Sequence, residues 1–464
     1  MAFPNPFSIK NHLFLSSSLW LLLCYLEGAY VDADRPYHVV NVNSLLPGSN
    51  CTASTPGSKF GSQKLQVRYR HGACSPTGTG NKSPDSAQIL SRDSLRVSSI
   101  NSKTSGLYDT KETNVKTQEL AIAGGGDYVV TIGFGTPRQD RTVIIDTGSD
   151  ITWVQCKSCS SCHPLNESLF DPSKSTSYSN GSCNPTVGNF YKIDYKDNSY
   201  SSGSYGCDTL TLEPSIVIQN FQFGCSQEIS SASDFADSSG LLGLGLGKEH
   251  PSFVSQTASK FGKVFSYCLP AKDGSTGYLL FGDEAKSLSS SSSLKFTPLV
   301  KGPSPSLYFL QLLGITVGSK QLEISPSTFS RRGTIIDSGT VITRLPESAY
   351  KALQSEFQRW MKKKYPRARA PPEEKILNTC FNLSGHKTVE YPNIIFHLGG
   401  GTDVNLDQSG IVWAKHPEQV CLAFAAKDKD DDYTIIGNHQ QKALDVFYDI
   451  QEGRLGFGTN GCHN

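Results

Sequence analysis

The stretch VIIDTGSDITWV, residues 143–154, returns as TIIDSGTVITRL, residues 334–345, with the acid 191 residues further on. Two isoleucines, an aspartate, a glycine, a third isoleucine and a threonine stand in register, and the Thr147/Ser338 and Ser149/Thr340 pairs exchange one hydroxyl for another. The repeat extends downstream. Gly243 follows Leu241-Leu242 and Gly437 follows Ile435-Ile436, at nearly the same offset from the two acids. A chain that writes one acidic turn twice, each with its distant glycine partner, is constrained to fold as two similar lobes.

Each acid stands between a β-branched run and a glycine, which places it at a strand end entering a tight turn. Gly148 and Gly339 let the backbone fold back so that amide N–H groups point at the carboxylate. Ser149 and Thr340 offer hydroxyls to the same oxygens. If a two-fold axis brings the turns together, Asp146 and Asp337 share one proton, because like charges so close cannot both ionise. Such a pair can hold a water, take its proton as it attacks an amide carbonyl, and protonate the developing oxyanion. No metal and no cofactor is required, and activity is expected in acid with two pKa values that belong to the pair. One such turn alone is an ordinary turn. Two in matching settings point to chemistry.

Around the repeat, Gly 42, Pro 24 and 10% aromatics in 464 residues suggest a turn-rich, mainly β protein. Lys10, an apolar run from about Leu13 to Leu26 and no acid before Glu27 outline a secretory signal peptide over residues 1–29. A retained anchor is the alternative, although the run is short and holds three serines. An organelle transit peptide is a weaker rival, since arginine is missing. Residues 30–122 are polar and read as a propeptide, in which only SAQILSRDSLRVSSI shows helical spacing, through Ile89, Leu90, Leu95, Val97 and Ile100. The joint AIAGGGD (121–127) leads into β texture, assigned to lobes at 123–300 and 301–464. PESAYKALQSEFQRWMKKKY predicts a helix with Pro346 near its start. SLSSSSSL (287–294) reads as a surface hairpin tip.

Lys+Arg 43 against Asp+Glu 42 argues against a partner held mainly by charge, nucleic acid included. The basic helix end (Arg359, Lys362 to Lys364, Arg367, Arg369) reads as a solvated end whose cations suit the helix dipole. Thirteen cysteines become an even number once Cys24 leaves with the signal, which suggests disulfides in a secreted chain. Sequons at Asn50, Asn81, Asn166, Asn180 and Asn382 fit that route. No later stretch could span a bilayer, so the expected destination is the cell exterior or the vacuole, with the plastid a weaker one.

YVVTIGFGTPRQDRTVIIDTGSDITWV, GTIIDSGT and VFYDIQEGRLGFG resemble the pepsin-like aspartic proteases, over nearly all of residues 127–460. The resemblance implies an all-β bilobal fold with two similar β-barrel-like lobes, a central cleft and a flap hairpin. It implies catalysis by Asp146 and Asp337 in a secreted, monomeric zymogen that cuts polypeptides and is stopped by pepstatin-type inhibitors. CKSCSSC, FGC at Cys225, FSYCLP at Cys268, IIGNHQQ and LQVRYRHGACSP look closest to the plant nepenthesin-like group, which includes proteins described as chloroplast-nucleoid DNA-binding-like. No saposin-like insert fits between Asp337 and Gly437.

Carried over residue by residue, the resemblance makes Thr147 and Ser338 the hydroxyls that link the two turns. Tyr195 matches the flap tyrosine, and Trp153 the tryptophan that supports it, with simple core packing as the rival reading. Cys380 with Cys421 resembles the bridge of the C-terminal lobe. Cys183 with Cys207 is an unusual possible pair, and the other pairings stay open. A basic propeptide residue blocking the dyad is expected from the family, with no residue assigned, and activation is bracketed near residues 118–127. Lys196 stands where glycine usually follows the flap tyrosine. It bears on flap mobility, favours acidic substrate groups or marks a relaxed site, and keeps open a second reading: a weak or inactive pepsin-like binding protein, as in the plant xylanase inhibitors.

Overall fold

The two copies of the repeat fold into the same local structure. In this computed structural model, Gln139–Asp146 is a strand whose parallel neighbour Gly240–Gly243 sets Gly243 opposite Asp146. In the second copy Thr334–Ile336 lies parallel to Thr434–Ile436, with Ile336 opposite Ile436. The downstream glycines are required by close approach: a Cβ on Gly243 would lie 2.1 Å from the Asp150 carbonyl oxygen, and one on Gly437 2.5 Å from that of Val341. Each glycine N–H donates to the threonine of its own repeat, Gly243 to Thr152 Oγ1 at 3.1 Å and Gly437 to Thr343 Oγ1 at 3.0 Å.

The structure describes residues 35–46, 48, 50–51, 64–76, 86–103, 127–162, 165–183, 188–194, 200–229, 238–248, 250–291, 294–371, 374–429, 432–459 and 461–462. The signal-peptide residues 1–29, residues 121–126 of the joint, and Tyr195 and Lys196 lie outside them.

Alternation along the repeat strands divides their side chains between two faces. Val143 and Ile145 enter the large core with Phe134 and Phe223, whereas Ile144 packs with Trp153 and Tyr191. Second-lobe members of the large core include Ile336, Leu345, Phe357 and Phe381. Full burial of one such side chain stabilises the fold by about 1.5–3 kcal/mol. The main sheet runs Val264–Cys268, Thr276–Phe281, Leu65–Tyr69, Tyr128–Phe134, Gln139–Asp146 as successive neighbours. The closing strands Asp445–Asp449 and Arg454–Gly458 cross back to this sheet beside Val264–Cys268.

Residues 30–122 hold more structure than their polar texture predicts. Leu65–Tyr69 is an inner strand between Thr276–Phe281 and Tyr128–Phe134. Tyr37–Asn41 pairs antiparallel with Thr388–Pro392, and the Tyr37 ring sits 5.3 Å from that of Trp360. Each strand has only five residues, too short for alternation to rise above its polar flanks. The predicted helix spans Ser86–Lys103.

The helix expected after Pro346 spans Glu347–Met361 and buries Leu353, Phe357 and Met361. Its basic end is exposed, with several of its cations meeting local partners. Arg359 Nε donates to both oxygens of Glu356 at 3.1 Å, Lys364 pairs with Glu390, and Lys363 and Arg367 lie over the Trp360 and Phe381 rings. The serine run corrects the sequence reading, because a helix covers Gly282–Ser291 in place of a hairpin tip. Asp283 and Glu284 suit the positive end of its dipole, and Ala285 and Leu288, one turn apart, pack against Val264 and Phe447.

Disulfides join Cys51–Cys74, Cys156–Cys225, Cys159–Cys162, Cys183–Cys207, Cys268–Cys462 and Cys380–Cys421. Asn166, Asn180 and Asn382 are exposed. Among the described residues no helix is long and apolar enough to cross a membrane.

Candidate active site

The two acidic turns meet. Thr147 N–H donates to Ser338 Oγ at 3.0 Å, and Ser338 N–H donates to Thr147 Oγ1 at 2.9 Å, a reciprocal pair that ties one turn to the other. Ser338 Oγ also donates to the Ile145 carbonyl at 3.1 Å. Around each carboxylate the donors repeat. Gly148 N–H reaches Asp146 Oδ1 at 3.0 Å and Ser149 Oγ reaches Oδ2 at 2.6 Å. Gly339 N–H reaches Asp337 Oδ1 at 3.0 Å and Thr340 Oγ1 reaches Oδ2 at 2.5 Å. The expected site residues of the two turns therefore converge, with both aspartates fully buried.

Between the carboxylates lies Arg96, from the helix Ser86–Lys103. Its Nη2 donates to Asp146 Oδ1 at 2.6 Å and to Asp337 Oδ1 at 2.8 Å, while Nε reaches Asp337 Oδ2 at 3.0 Å. No part of the three side chains is exposed. The fit leaves no room for a β-carbon on the turns, since one on Gly339 would lie 2.2 Å from Arg96 Cζ. Burial opposes the Arg96 charge, but the two carboxylates outweigh it and raise its pKa above the ordinary value. Burial also opposes ionisation of Asp146. Attraction and hydrogen bonds from Arg96, with those from Ser149 and Gly148, hold its pKa below the ordinary value. For Asp337 burial prevails and raises the pKa, with Arg96 pulling it down and the Asp146 charge pushing it up.

The helix is seated by its neighbours on the same face. Ile89 and Leu90 pack against Val341, Ile342 and Ala423, and Val97 and Ile100 against Phe309, Ile335 and Ile435. Asp93 accepts from Val341 N–H at 2.6 Å and from Arg344 Nη2 at 2.7 Å. Sequence reasoning left Arg96, Asp93 and Arg344 unassigned. The signal was present: helical period places Asp93 and Arg96 on the face of Ile89 and Ile100, and charges within an apolar stripe demand partners.

Trp153 is fully buried beside Tyr191, Ile193 and Tyr205, beneath the hairpin arms Phe190–Asp194 and Tyr200–Glu213. Tyr191 Oη lies 3.1 Å from Ser201 Oγ, which lies 3.1 Å from Ser226 Oγ, so the base of the hairpin is cross-braced. The hairpin tip, with Tyr195, is outside the described residues. Among the described residues no cluster of His, Cys, Asp and Glu has the arrangement of a metal site.

The sequence profile of the family described as "Eukaryotic aspartyl protease" matches residues 127–460. An aspartyl protease family protein of Arabidopsis thaliana is 42% identical, covering 98% of this chain and 100% of its own length. Aspartyl protease AED1 of the same plant is 40% identical, over 98% and 99%. Aspartic proteinase nepenthesin-1 of Nepenthes gracilis is 31% identical, over 73% of this chain and 79% of its own.

Proposed function

The chain belongs to the eukaryotic aspartyl protease family, whose members are endopeptidases, and on that premise we propose that it is an acid endopeptidase captured here in its latent form. Asp146 and Asp337 are the catalytic pair, residues 30–122 the propeptide, and 123–300 and 301–464 the two catalytic lobes. The observation that carries this reading is the placement of Arg96: one propeptide guanidinium occupies the space between two carboxylates held by matching donors.

With Arg96 withdrawn, two carboxylates that had shared one nitrogen face each other without a cation. Their repulsion favours a single shared proton, which sets the working range in acid. The ionised member takes a proton from a water held between them, that water attacks the substrate carbonyl, and the protonated member gives its proton to the carbonyl oxygen. Collapse of the tetrahedral intermediate then breaks the C–N bond as the leaving nitrogen is protonated. Thr147 and Ser338 hold the two turns at the separation this exchange requires. The signal peptide over residues 1–29, the sequons at Asn166, Asn180 and Asn382 and the disulfides support a secretory route to the cell exterior or vacuole.

The test is digestion of a denatured protein by the acid-processed chain from pH 2 to 8, with and without pepstatin, beside an Asp146→Ala chain. Cleavage confined to acid, stopped by pepstatin and absent from the variant is expected. Cleavage that persists in Asp146→Ala, or none from the folded processed protein, overturns the reading.

A further inference from the structure

The face of the helix that carries Arg96 makes a second charged contact, and every donor in it belongs to the second lobe. The Asp93 carboxylate accepts from Val341 N–H at 2.6 Å, Ile342 N–H at 3.3 Å and Arg344 Nη2 at 2.7 Å. Arg344 Nη1 in turn donates to the Ile342 carbonyl at 2.7 Å, which fixes the guanidinium against its own strand. Arg344 is 3% exposed and Asp93 is fully buried. The two backbone donors directly follow the turn Asp337–Thr340, so the frame that positions Asp337 also positions them.

We propose that, once the propeptide has left, Val341 N–H, Ile342 N–H and Arg344 form a subsite for an acidic side chain of the substrate, selecting Asp or Glu close to the cleaved bond. This rests on the reading of the chain as an acid endopeptidase, and names a substrate preference for that site. The site is built and anchored independently of Asp93, because removal of the helix leaves its three donors in place. A carboxylate can satisfy all three. The amide of Asn or Gln brings one acceptor oxygen and sets its own N–H groups toward the cation, so the neutral isostere is rejected.

The distance fits a peptide in the cleft. Asp93 lies three residues from Arg96, about 4.5 Å along the helix axis. An extended chain advances about 3.3 Å per residue, so a side chain about one to three residues from the bond above the dyad reaches the same donors. A free substrate carboxyl ionises near pH ~4, and only its charged form takes the full attraction of the guanidinium. The preference is therefore weak near pH ~3 and strong near pH ~5.

The experiment uses peptide pairs differing only by Asp or Asn at each of the three positions on either side of the cleaved bond. They are given to the processed protein and to its Arg344→Gln and Arg344→Lys forms at the two pH values. At one position the kcat/KM ratio of Asp over Asn peptide is expected to be about tenfold or more at the higher pH, the scale of one charge-assisted hydrogen bond. It shrinks at the lower pH, falls to about one in Arg344→Gln and survives in part in Arg344→Lys. A ratio near one at every position in the parent protein, or an undiminished ratio in Arg344→Gln, overturns the proposal. Anisotropy titration of the same labelled peptides into the processed Asp146→Asn protein reads the preference without turnover. Preferential binding of the acidic peptide there supports the subsite even if no peptide is cleaved, in which case only the endopeptidase reading fails. Equal binding of the two peptides counts against the subsite.

Discussion

Asp146 and Asp337 accept hydrogen bonds from the same nitrogen, Arg96 Nη2, at 2.6 and 2.8 Å. Two like charges are thereby held in a site from which water is excluded, each with its own amide and hydroxyl donor, around a cation supplied by a different part of the chain. The arrangement is closed as it stands, and its consequences can be measured.

Replacing Arg96 by Met keeps much of the stem and removes the charge. Two buried carboxylates then lack their counterion, and breaking a buried pair in this way costs about 3–5 kcal/mol. The intact Arg96→Met chain is expected to lose stability of that order at neutral pH, and less in acid, where the aspartates take up a proton. Denaturant unfolding at the two pH values measures the difference. The same chain is expected to process itself at a higher pH than the parent, as followed by gel.

The link between Thr147 and Ser338 predicts two separate losses. Thr147→Val preserves shape and strands the Ser338 N–H, and Ser338→Ala strands the Thr147 N–H, each at about 1–3 kcal/mol. Because each variant removes a different one of the two bonds, the double variant is expected to cost about the sum of the singles, which a double-mutant cycle reads directly. Turnover should fall in each variant with less change in KM, since the separation of the acids is disturbed and the substrate contacts are not.

Acid release of the N-terminal segment is expected to carry two opposed contributions. Burial, followed by the Arg70 and Arg92 charges, holds His71 well below the ordinary imidazole pKa. Its share of docking stability is complete above the free value of about 6.5 and is lost as pH falls below it. Asp127 acts in the other direction. Burial raises its pKa to about 7 against the pull of Arg70, so its protonation strengthens docking as pH falls from there toward the free-carboxyl range. His71→Gln should therefore flatten the pH dependence of release, and Asp127→Asn should steepen it. Pulsed hydrogen exchange over residues 86–103, in the first seconds after an acid jump, follows the change.

How much of this was legible depends on whether the information is local. The acidic turns were readable because strand, acid, glycine and hydroxyl lie within a few residues and recur. The downstream Gly243 and Gly437 were readable because the repeat carried them, although their cause, a carbonyl oxygen too close to leave room for a Cβ, is a matter of packing. The strand Leu65–Tyr69 was hidden, since its place inside the main sheet comes from partners far along the chain. Arg96 was hidden for a related reason. Its helix was evident, but only the assembled cleft shows what a cation on its apolar face meets. The serine run misled because low complexity usually marks a surface tip, whereas Ala285 and Leu288 gave it a buried side.

Arg96 and substrate are expected to compete for one site between Asp146 and Asp337. That competition is tested most directly by titrating a fluorescent pepstatin-type inhibitor into three proteins at one mildly acidic pH: the intact chain, the intact Arg96→Met chain and the acid-processed chain. Weak binding to the intact parent, tight stoichiometric binding to the processed chain, and a gain for intact Arg96→Met over the parent are expected. Equal affinity for the intact parent and the processed chain would contradict the competition, because an inhibitor cannot occupy two carboxylates already closed around a buried guanidinium.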